Sequence, residues 1–172
     1  MVNVEPPSVP WLVHLINGYA PQPRHAAGED RAPYPDLTSD PPGIEAMTKR
    51  DLICIARRLW PVFGTVSDTE RATLLNDLLE DAALSPRVDE HTTVSWTTSG
   101  VGARLLLAGC VVALLEATQA HGWQRLGTCA GDACVDVYVD EIGRGTRRYC
   151  STTCLNRARV RAYRSRQRAA SD

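Results

Sequence analysis

Several features that would identify an enzyme are missing from the 172-residue sequence. It contains no phosphate-binding glycine loop and no recognisable nucleophile motif, and its Asp-Glu pairs show no arrangement that acid–base chemistry would need. The four histidines are scattered along the chain, at His14, His25, His91 and His121. We therefore expect that the protein is not an enzyme and that its histidines are surface or capping residues.

Long apolar runs are also missing. No uninterrupted run approaches the roughly 18 apolar residues of a membrane helix. The most apolar stretch, LLLAGCVVALL at 105–115, is shorter and follows Arg104, so it predicts a buried core helix. The N-terminus has several prolines and no basic segment, and we expect no secretory signal peptide there. These observations predict a soluble, cytoplasmic protein.

Acidic residues are absent from residues 144–168, which contain nine arginines. Residues 1–120 show the opposite balance, with nine Lys and Arg against fifteen Asp and Glu. The change of sign favours an acidic body with a basic end that faces a polyanion. A solvated basic tail is the simpler interpretation of the charge taken alone.

The body, residues 1–122, is predicted to be mainly helical. Helical spacing of apolar residues and capping signals predict helices over 8–20, 44–63, 67–84 and 101–120, the second of them ending before Pro61 or just past it. Ser67 and Glu70 have the spacing of a capping box, and Pro86 is expected to end that helix. Residues 21–43 predict a long loop, and the alternation around Val94 and Trp96 predicts a small β-hairpin.

Isolated cysteines and aromatic residues in this body are interpreted as core. Cys54 and Cys110 lie in apolar helical patterns, which predicts buried, small apolar side chains. For a second group of residues, the alternative to a place in the core is the lining of a ligand pocket, although aromatic residues at helical spacing are more often core residues. That group comprises Trp11, His14, Trp60 and Trp96.

The other four cysteines form a cluster, Cys-x4-Cys followed after fifteen residues by Cys-x3-Cys, at Cys129, Cys134, Cys150 and Cys154. In an intracellular chain such a cluster more often binds metal than forms disulfides. Four thiolates suit tetrahedral Zn²⁺ and leave no open position for water, so the spacing predicts one structural zinc ion. Four buried cysteines without metal are the alternative.

The segments between the cysteine pairs predict a small β structure and a helix. VDVYVD at 135–140 alternates strictly, EIGRGT supplies a turn, and RRYC returns the chain, which predicts a hairpin between the two ligand pairs. Ser151 or Thr152 as N-cap would place Cys154 in the first turn of a helix. The predicted fold class is therefore mainly α (α+β), with a treble-clef-like finger over 123–168.

The predicted C-terminal helix carries arginines at regular intervals. Leu155, Ala158 and Ala162 share one face, which we expect to pack on the hairpin, with an arginine stripe facing outward. Arginine forks suit phosphates and guanine edges, and Asn suits adenine. We predict phosphate contacts by Arg157, Arg161, Arg164 and Arg168, base contacts by Asn156 and Tyr163, and a backbone clamp by Arg147 and Arg148.

The pattern W-x-R-L-x-x-C-x4-C, followed by R-R-x-C-S-x-x-C-x-N-R, resembles the CGNR zinc-finger family. It departs from the family at two places: residues 154–157 read Cys-Leu-Asn-Arg instead of the family's Cys-Gly-Asn-Arg tetrad, and the first pair encloses AGDA instead of an Asn-Pro dipeptide. The resemblance implies a finger that follows a helical ABATE domain in a bacterial, stress-induced transcription regulator. It also implies zinc-dependent binding of double-stranded DNA.

Three functional hypotheses follow. The leading one is a DNA-binding transcription regulator whose N-terminal domain senses a signal or dimerises. Because a single finger has a small footprint, we expect specific binding to need a homodimer or a transcription partner. The alternative is a protein-interaction module whose basic helix docks on an acidic surface. The third, a redox sensor that releases zinc on oxidation, is supported by the cysteines alone.

Overall fold

The computed structural model describes residues 1–37, 41 and 43–169. Within this part the chain forms six α-helices, namely α1 (Val9–Tyr19), α2 (Pro21–Ala26), α3 (Lys49–Gly64), α4 (Asp68–Asp81), α5 (Ala103–His121) and α6 (Thr152–Ala169). Five short strands accompany them: β1 (Val2–Asn3), β2 (Leu84–Val88), β3 (Val94–Thr98), β4 (Leu126–Thr128) and β5 (Val137–Val139). The predicted helix-rich class with small antiparallel sheets is confirmed.

Side-chain caps explain where three of the helices begin. The Ser8 hydroxyl accepts from the Trp11 amide at the start of α1, as predicted. Thr48 and Asp51 form a reciprocal capping box at α3, and the hydrogen bonds from Thr48 hold the pKa of Asp51 below its usual range. At α4 the Ser67 hydroxyl accepts from the Glu70 amide. The predicted reciprocal bond is missing, because the Glu70 carboxylate accepts from the Thr65 hydroxyl instead.

Two predicted boundaries in the first half of the body are wrong. The expected loop over 21–43 contains α2, which begins with Pro21 in the first turn, where proline is tolerated. Residues 38–40 and 42 of that loop lie outside the described residues. The helix expected from residue 44 begins only at Lys49, after a separate 3₁₀ turn over Ile44–Ala46, and it continues through Pro61 to Gly64.

The predicted hairpin is present and belongs to a three-stranded antiparallel sheet, with strand order β1-β3-β2. Pro86 does not end α4 as predicted; it lies in β2, paired with Trp96. A proline is tolerated there because β2 is an edge strand. The two-residue strand β1, which pairs Val2 with Thr98, is too short to leave an alternating pattern in the sequence.

Helix α5 is the centre of the core, as predicted, and contacts α1, α3 and α4. Ten of its residues are buried, Cys110 among them. Of the helices in the described ranges, only α5 is long and apolar enough to cross a bilayer, but 56% of its most apolar window is buried inside the protein. The prediction for Cys54 is wrong, because α3 turns this side chain toward solvent.

The aromatic residues considered for a ligand pocket have separate surroundings. Trp11 is buried in the core, with 6% of its surface exposed, and Trp60 and Trp96 pack against its periphery. Four well-formed cavities among the described residues are lined by residues other than these tryptophans and His14. The positions of the three tryptophans fit the prediction that they are core residues.

The ribbon formed by β4 and β5 is continuous with this core. Leu126, Val137 and Val139 belong to the same buried cluster as the helices of the body. Arg71, which is buried on α4, donates to the carbonyl oxygens of Trp123 (2.7 Å) and Leu126 (3.4 Å). The boundary between residues 122 and 123 stays a prediction, and hydrophobic packing crosses it without interruption.

Candidate metal centre and basic helix

The first cysteine pair lies on the loop that joins β4 to β5. These strands pair antiparallel from Leu126 opposite Val139 to Thr128 opposite Val137. The Cys129 amide donates to the Asp136 carbonyl oxygen (2.8 Å) and the Cys134 amide donates to the Gly131 carbonyl oxygen (3.3 Å). These bonds close the loop into a knuckle, with Cys129 at its start and Cys134 near its end.

This pairing corrects the predicted hairpin. The partner of β5 is β4, which precedes the first cysteine pair, and not the RRYC segment that precedes the second. The reason is tertiary: the Asn17 side chain of α1 accepts from the Val137 amide (2.7 Å) and donates to the Val137 carbonyl oxygen (3.0 Å). These bonds occupy the backbone groups at that edge of β5.

A carboxylate and a guanidinium shape the turn that leads to the second pair. The buried Asp140 carboxylate accepts from the amides of Gly143 and Gly145, each at 3.0 Å. Arg125 donates to the carbonyl oxygens of Asp140 (2.7 Å) and Gly143. Gly145 has a φ of 72°, a conformation that glycine adopts without strain. The turn is thus fixed by its own side chains.

Arg147 fastens the second ligand pair to the ribbon. Its guanidinium donates to the carbonyl oxygens of Tyr149 (2.9 Å), Val139 (3.3 Å) and Cys150. The same group lies 4.8 Å from the centre of the Tyr138 ring. We predicted that Arg147 clamps a nucleic-acid backbone; in the structure its donors are occupied by protein carbonyl oxygens.

The four sulfur atoms of Cys129, Cys134, Cys150 and Cys154 lie within 4.8 Å of one another. The distance from Cys150 Sγ is 3.7 Å to Cys134 Sγ and 3.6 Å to Cys154 Sγ. A tetrahedron with Zn–S bonds of about 2.3 Å has S–S edges of about 3.8 Å. The donor set therefore fits Zn²⁺ in both chemistry and spacing, and the predicted structural zinc is confirmed.

The surroundings of the thiols explain why a cation is needed. Burial raises the pKa of the Cys134 thiol strongly and that of Cys150 to about 12. For Cys129 burial acts in the same direction, but hydrogen bonds with the backbone of Cys150 and Gly131 outweigh it and lower the pKa. Four adjacent thiols do not all ionise unaided in this environment, and a divalent cation supplies the compensating charge.

A closed cage of four thiolates defines the C-terminal segment as a structural zinc finger. Residues 125–167 match the family model of the CGNR zinc finger, a segment that includes all four ligands and most of α6. Leu155, at the position of the glycine in the family's tetrad, is half-buried. No curated protein matches the chain.

Helix α6 begins at the second pair, where the Ser151 hydroxyl accepts from the Cys154 amide (3.3 Å). Of its described residues, only Cys154 is buried. The apolar face predicted to pack on the hairpin is incomplete, since Leu155 and Ala158 are half-buried but Ala162 is exposed. The zinc ligand is thus the main anchor of a helix that otherwise projects into solvent.

A groove of about 520 Å³ separates α6 from the knuckle loop over 130–134. Arg157 and Arg161 line it, together with Ala158, Ala162 and Ser165. Arg161 forms an ion pair with Asp132 on the opposite wall. The predicted outward stripe is therefore divided, because two of its arginines face the protein's own loop.

The opposite face of α6 bears both predicted and unpredicted candidates for nucleic-acid contact. Asn156 and Tyr163 lie there as predicted candidates, but Arg159 and Arg166 were missed. Helical periodicity counted from Cys154 was the signal that would have identified them, because a zinc ligand must point inward. Arg164 is exposed at the flank of this face, Arg168 is exposed on the side of Cys154, and Arg148 is exposed beside the start of the helix.

Proposed function

We propose that this chain is a zinc-dependent transcription regulator that binds double-stranded DNA through α6. The observation that carries the proposal is the charge of this helix, which has six arginines and no acidic residue and is exposed along nearly its whole length. A solvated helix gains stability from pairs of opposite charge, whereas this one repels itself. Binding to a polyanion relieves that repulsion and releases counterions.

In this proposal the zinc ion positions helix α6. Its four thiolates fix the start of α6 against the ribbon, and the ribbon is fixed to the body by Asn17 and Arg71. The helix therefore meets DNA in one orientation relative to the body. Arg148, Arg157, Arg164 and Arg168 supply phosphate contacts, and Arg147 supports the finger from within.

The body is proposed to be an ABATE-type domain in a non-enzymatic, cytoplasmic protein. One finger covers only a short stretch of duplex, so specific binding requires a second copy or a transcription partner. The helical domain supplies that contact or the response to a signal. The continuous core through Leu126 and Val137 gives the body a rigid connection to the finger.

A protein-interaction module is the second candidate. It is favoured by Val160 and Tyr163, which are 50% and 58% exposed on α6 beside arginines. Tyrosine and arginine are frequent among the residues that dominate binding energy at protein interfaces. In this alternative an acidic protein surface takes the place of DNA.

The first experiment is a titration of zinc-loaded protein with duplex DNA at several salt concentrations. We expect log K to fall linearly with log salt, and an Arg164→Ala/Arg168→Ala variant to reduce the slope by about 2. An Arg31→Ala/Arg50→Ala variant removes two exposed arginines from the body and is the matched control. An equal effect of both variants, or no binding of duplex at low salt, contradicts the proposal.

A further inference from the structure

One face of α6 is exposed to solvent in the described part of the chain, and it bears a mixture of side chains unlike a uniformly basic tail. We infer that this outer face, formed by Asn156, Arg159, Val160, Tyr163 and Arg166, reads base edges in the DNA major groove. Arg157, on the side of the knuckle loop, contacts only phosphates, and Arg161 on the same side is paired with Asp132. The inference rests on the proposed DNA binding and names the residues that decide its sequence preference.

The position of Cys154 defines the inner side of the helix. At 100° per residue, Ala158, Arg161 and Ser165 lie within about 40° of Cys154, in agreement with their place in the groove beside the knuckle loop. The five residues of the outer face lie between about 120° and 240° from Cys154 on the same count. All five are exposed.

The knuckle loop limits which face can reach the bases. A helix with its side chains is about 10–12 Å wide and fills a major groove that is about 12 Å wide. A second chain segment beside the helix therefore cannot enter with it. Since residues 130–134 lie along the side of Arg157 and Arg161, that side stays at the rim of the groove, where phosphates are.

The chemistry of the outer face suits base recognition. The Asn156 amide can pair with adenine, and the Arg159 fork can pair with guanine. Val160, 50% exposed, offers an apolar contact for a thymine methyl group. Tyr163, 58% exposed, accepts a hydrogen bond from the Gln167 side chain (3.2 Å), which orients the phenol. Neutralising phosphates requires positive charge, which the side chains of Val160 and Asn156 do not supply.

Helix geometry sets the size of the expected site. Asn156 and Arg159 are about 4.5 Å apart along the helix axis, and Asn156 and Arg166 about 15 Å. With a rise of about 3.4 Å per base pair, the outer face spans about four to five base pairs. We therefore expect each finger to select a short site in which an adenine and a guanine lie one or two base pairs apart.

The test is selection of binding sites from random duplex DNA by zinc-loaded, full-length protein and three variants. Asn156→Ala should abolish the preference for adenine at one position of the site. Arg159→Lys keeps the charge but not the fork, and should reduce the preference for guanine at a neighbouring position by about 5- to 150-fold. Arg157→Lys is the matched control on the other face and should leave the selected site unchanged. Zinc content and helical circular dichroism of each variant confirm that the finger is intact.

The outcomes separate the inference from the proposed function. If Arg157→Lys relaxes the site while Arg159→Lys does not, the outer face is not the reading face, although DNA binding stands. Binding of wild-type protein without any selected site also overturns the inference alone. Failure of wild-type protein to bind any duplex at low salt overturns both and leaves the protein-interaction alternative.

Discussion

The indole N–H of Trp60 donates a hydrogen bond of 3.1 Å to the carbonyl oxygen of Val135. Trp60 lies on α3 in the body, and Val135 directly follows the zinc ligand Cys134. Together with Asn17 and Arg71, which contact the ribbon from α1 and α4, this bond connects the metal centre to three helices of the body. We therefore expect zinc to stabilise the body as well as the finger.

Removal of zinc by a chelator should destabilise the body as well as the finger. Because such a zinc site forms only in the folded protein, the free energy of zinc binding adds to the free energy of folding. We therefore expect the midpoint of thermal unfolding to fall by about 10 °C or more without zinc. Differential scanning calorimetry with and without chelator measures this, and tryptophan fluorescence should change at the same time. Trp60→Phe is the control, because it should reduce the fluorescence change. A body transition that does not respond to chelation contradicts the coupling.

Asn17→Ala should cost about 1–3 kcal/mol of unfolding free energy, because it leaves the buried backbone groups of Val137 without partners. Urea denaturation measures the cost. Asn76→Ala, at an exposed position of α4, removes the same side chain and should stay within about 0.5 kcal/mol of wild type. Equal stability of the two variants would show that the contact between α1 and β5 adds nothing.

Arg147→Ala and Arg148→Ala should have different effects, although the residues are adjacent and both are exposed in part. Loss of Arg147 removes the donors that orient the Cys150 segment, so zinc affinity should fall by about 10-fold. Arg148→Ala should leave zinc affinity unchanged and weaken only DNA binding. Competition with a chromogenic chelator gives the zinc affinities, and the assignment fails if both variants lose zinc equally.

Asp132→Asn should strengthen DNA binding, since it releases Arg161 from its ion pair and removes a negative charge beside α6. We expect the salt dependence of binding to steepen by about one phosphate contact. Asp77→Asn removes the same charge from an exposed site on α4 and serves as control. The expectation is refuted if the two variants bind alike.

The two cysteines outside the zinc site should differ in reactivity. Cys54 is exposed, whereas complete burial of Cys110 raises the pKa of its thiol to about 12. In zinc-loaded native protein a thiol reagent should therefore label Cys54 rapidly. Cys110 should react only on unfolding, and raising the pH from 8 to 10 should not change this, because both values lie below its pKa. Cys54→Ser should abolish the rapid phase; rapid labelling that persists in this variant would contradict the assignment.

Local signals explain the parts of the fold that were predictable. The caps at Ser8 and Ser67 join residues three positions apart, so a short stretch of sequence is enough to predict them. Helix α5 is more apolar than a surface helix, and its own sequence is therefore enough to predict its burial. The helix α2 and the two-residue strand β1 are shorter than the windows in which periodicity is visible. Cys54 was misplaced because a cysteine in an apolar pattern does not itself show which side of α3 faces solvent.

The sequence by itself determined the zinc site, since ligand type and spacing suffice for a metal that needs four thiolates in a tetrahedron. It also determined that the C-terminal end is basic. Only the tertiary structure decided which strand pairs with β5, that Arg147 binds protein carbonyl oxygens, and that Arg161 faces Asp132. These relationships depend on groups brought together by packing, such as Asn17 and Val137, which are 120 residues apart in the chain. Neither local propensity nor periodicity encodes contacts of that range.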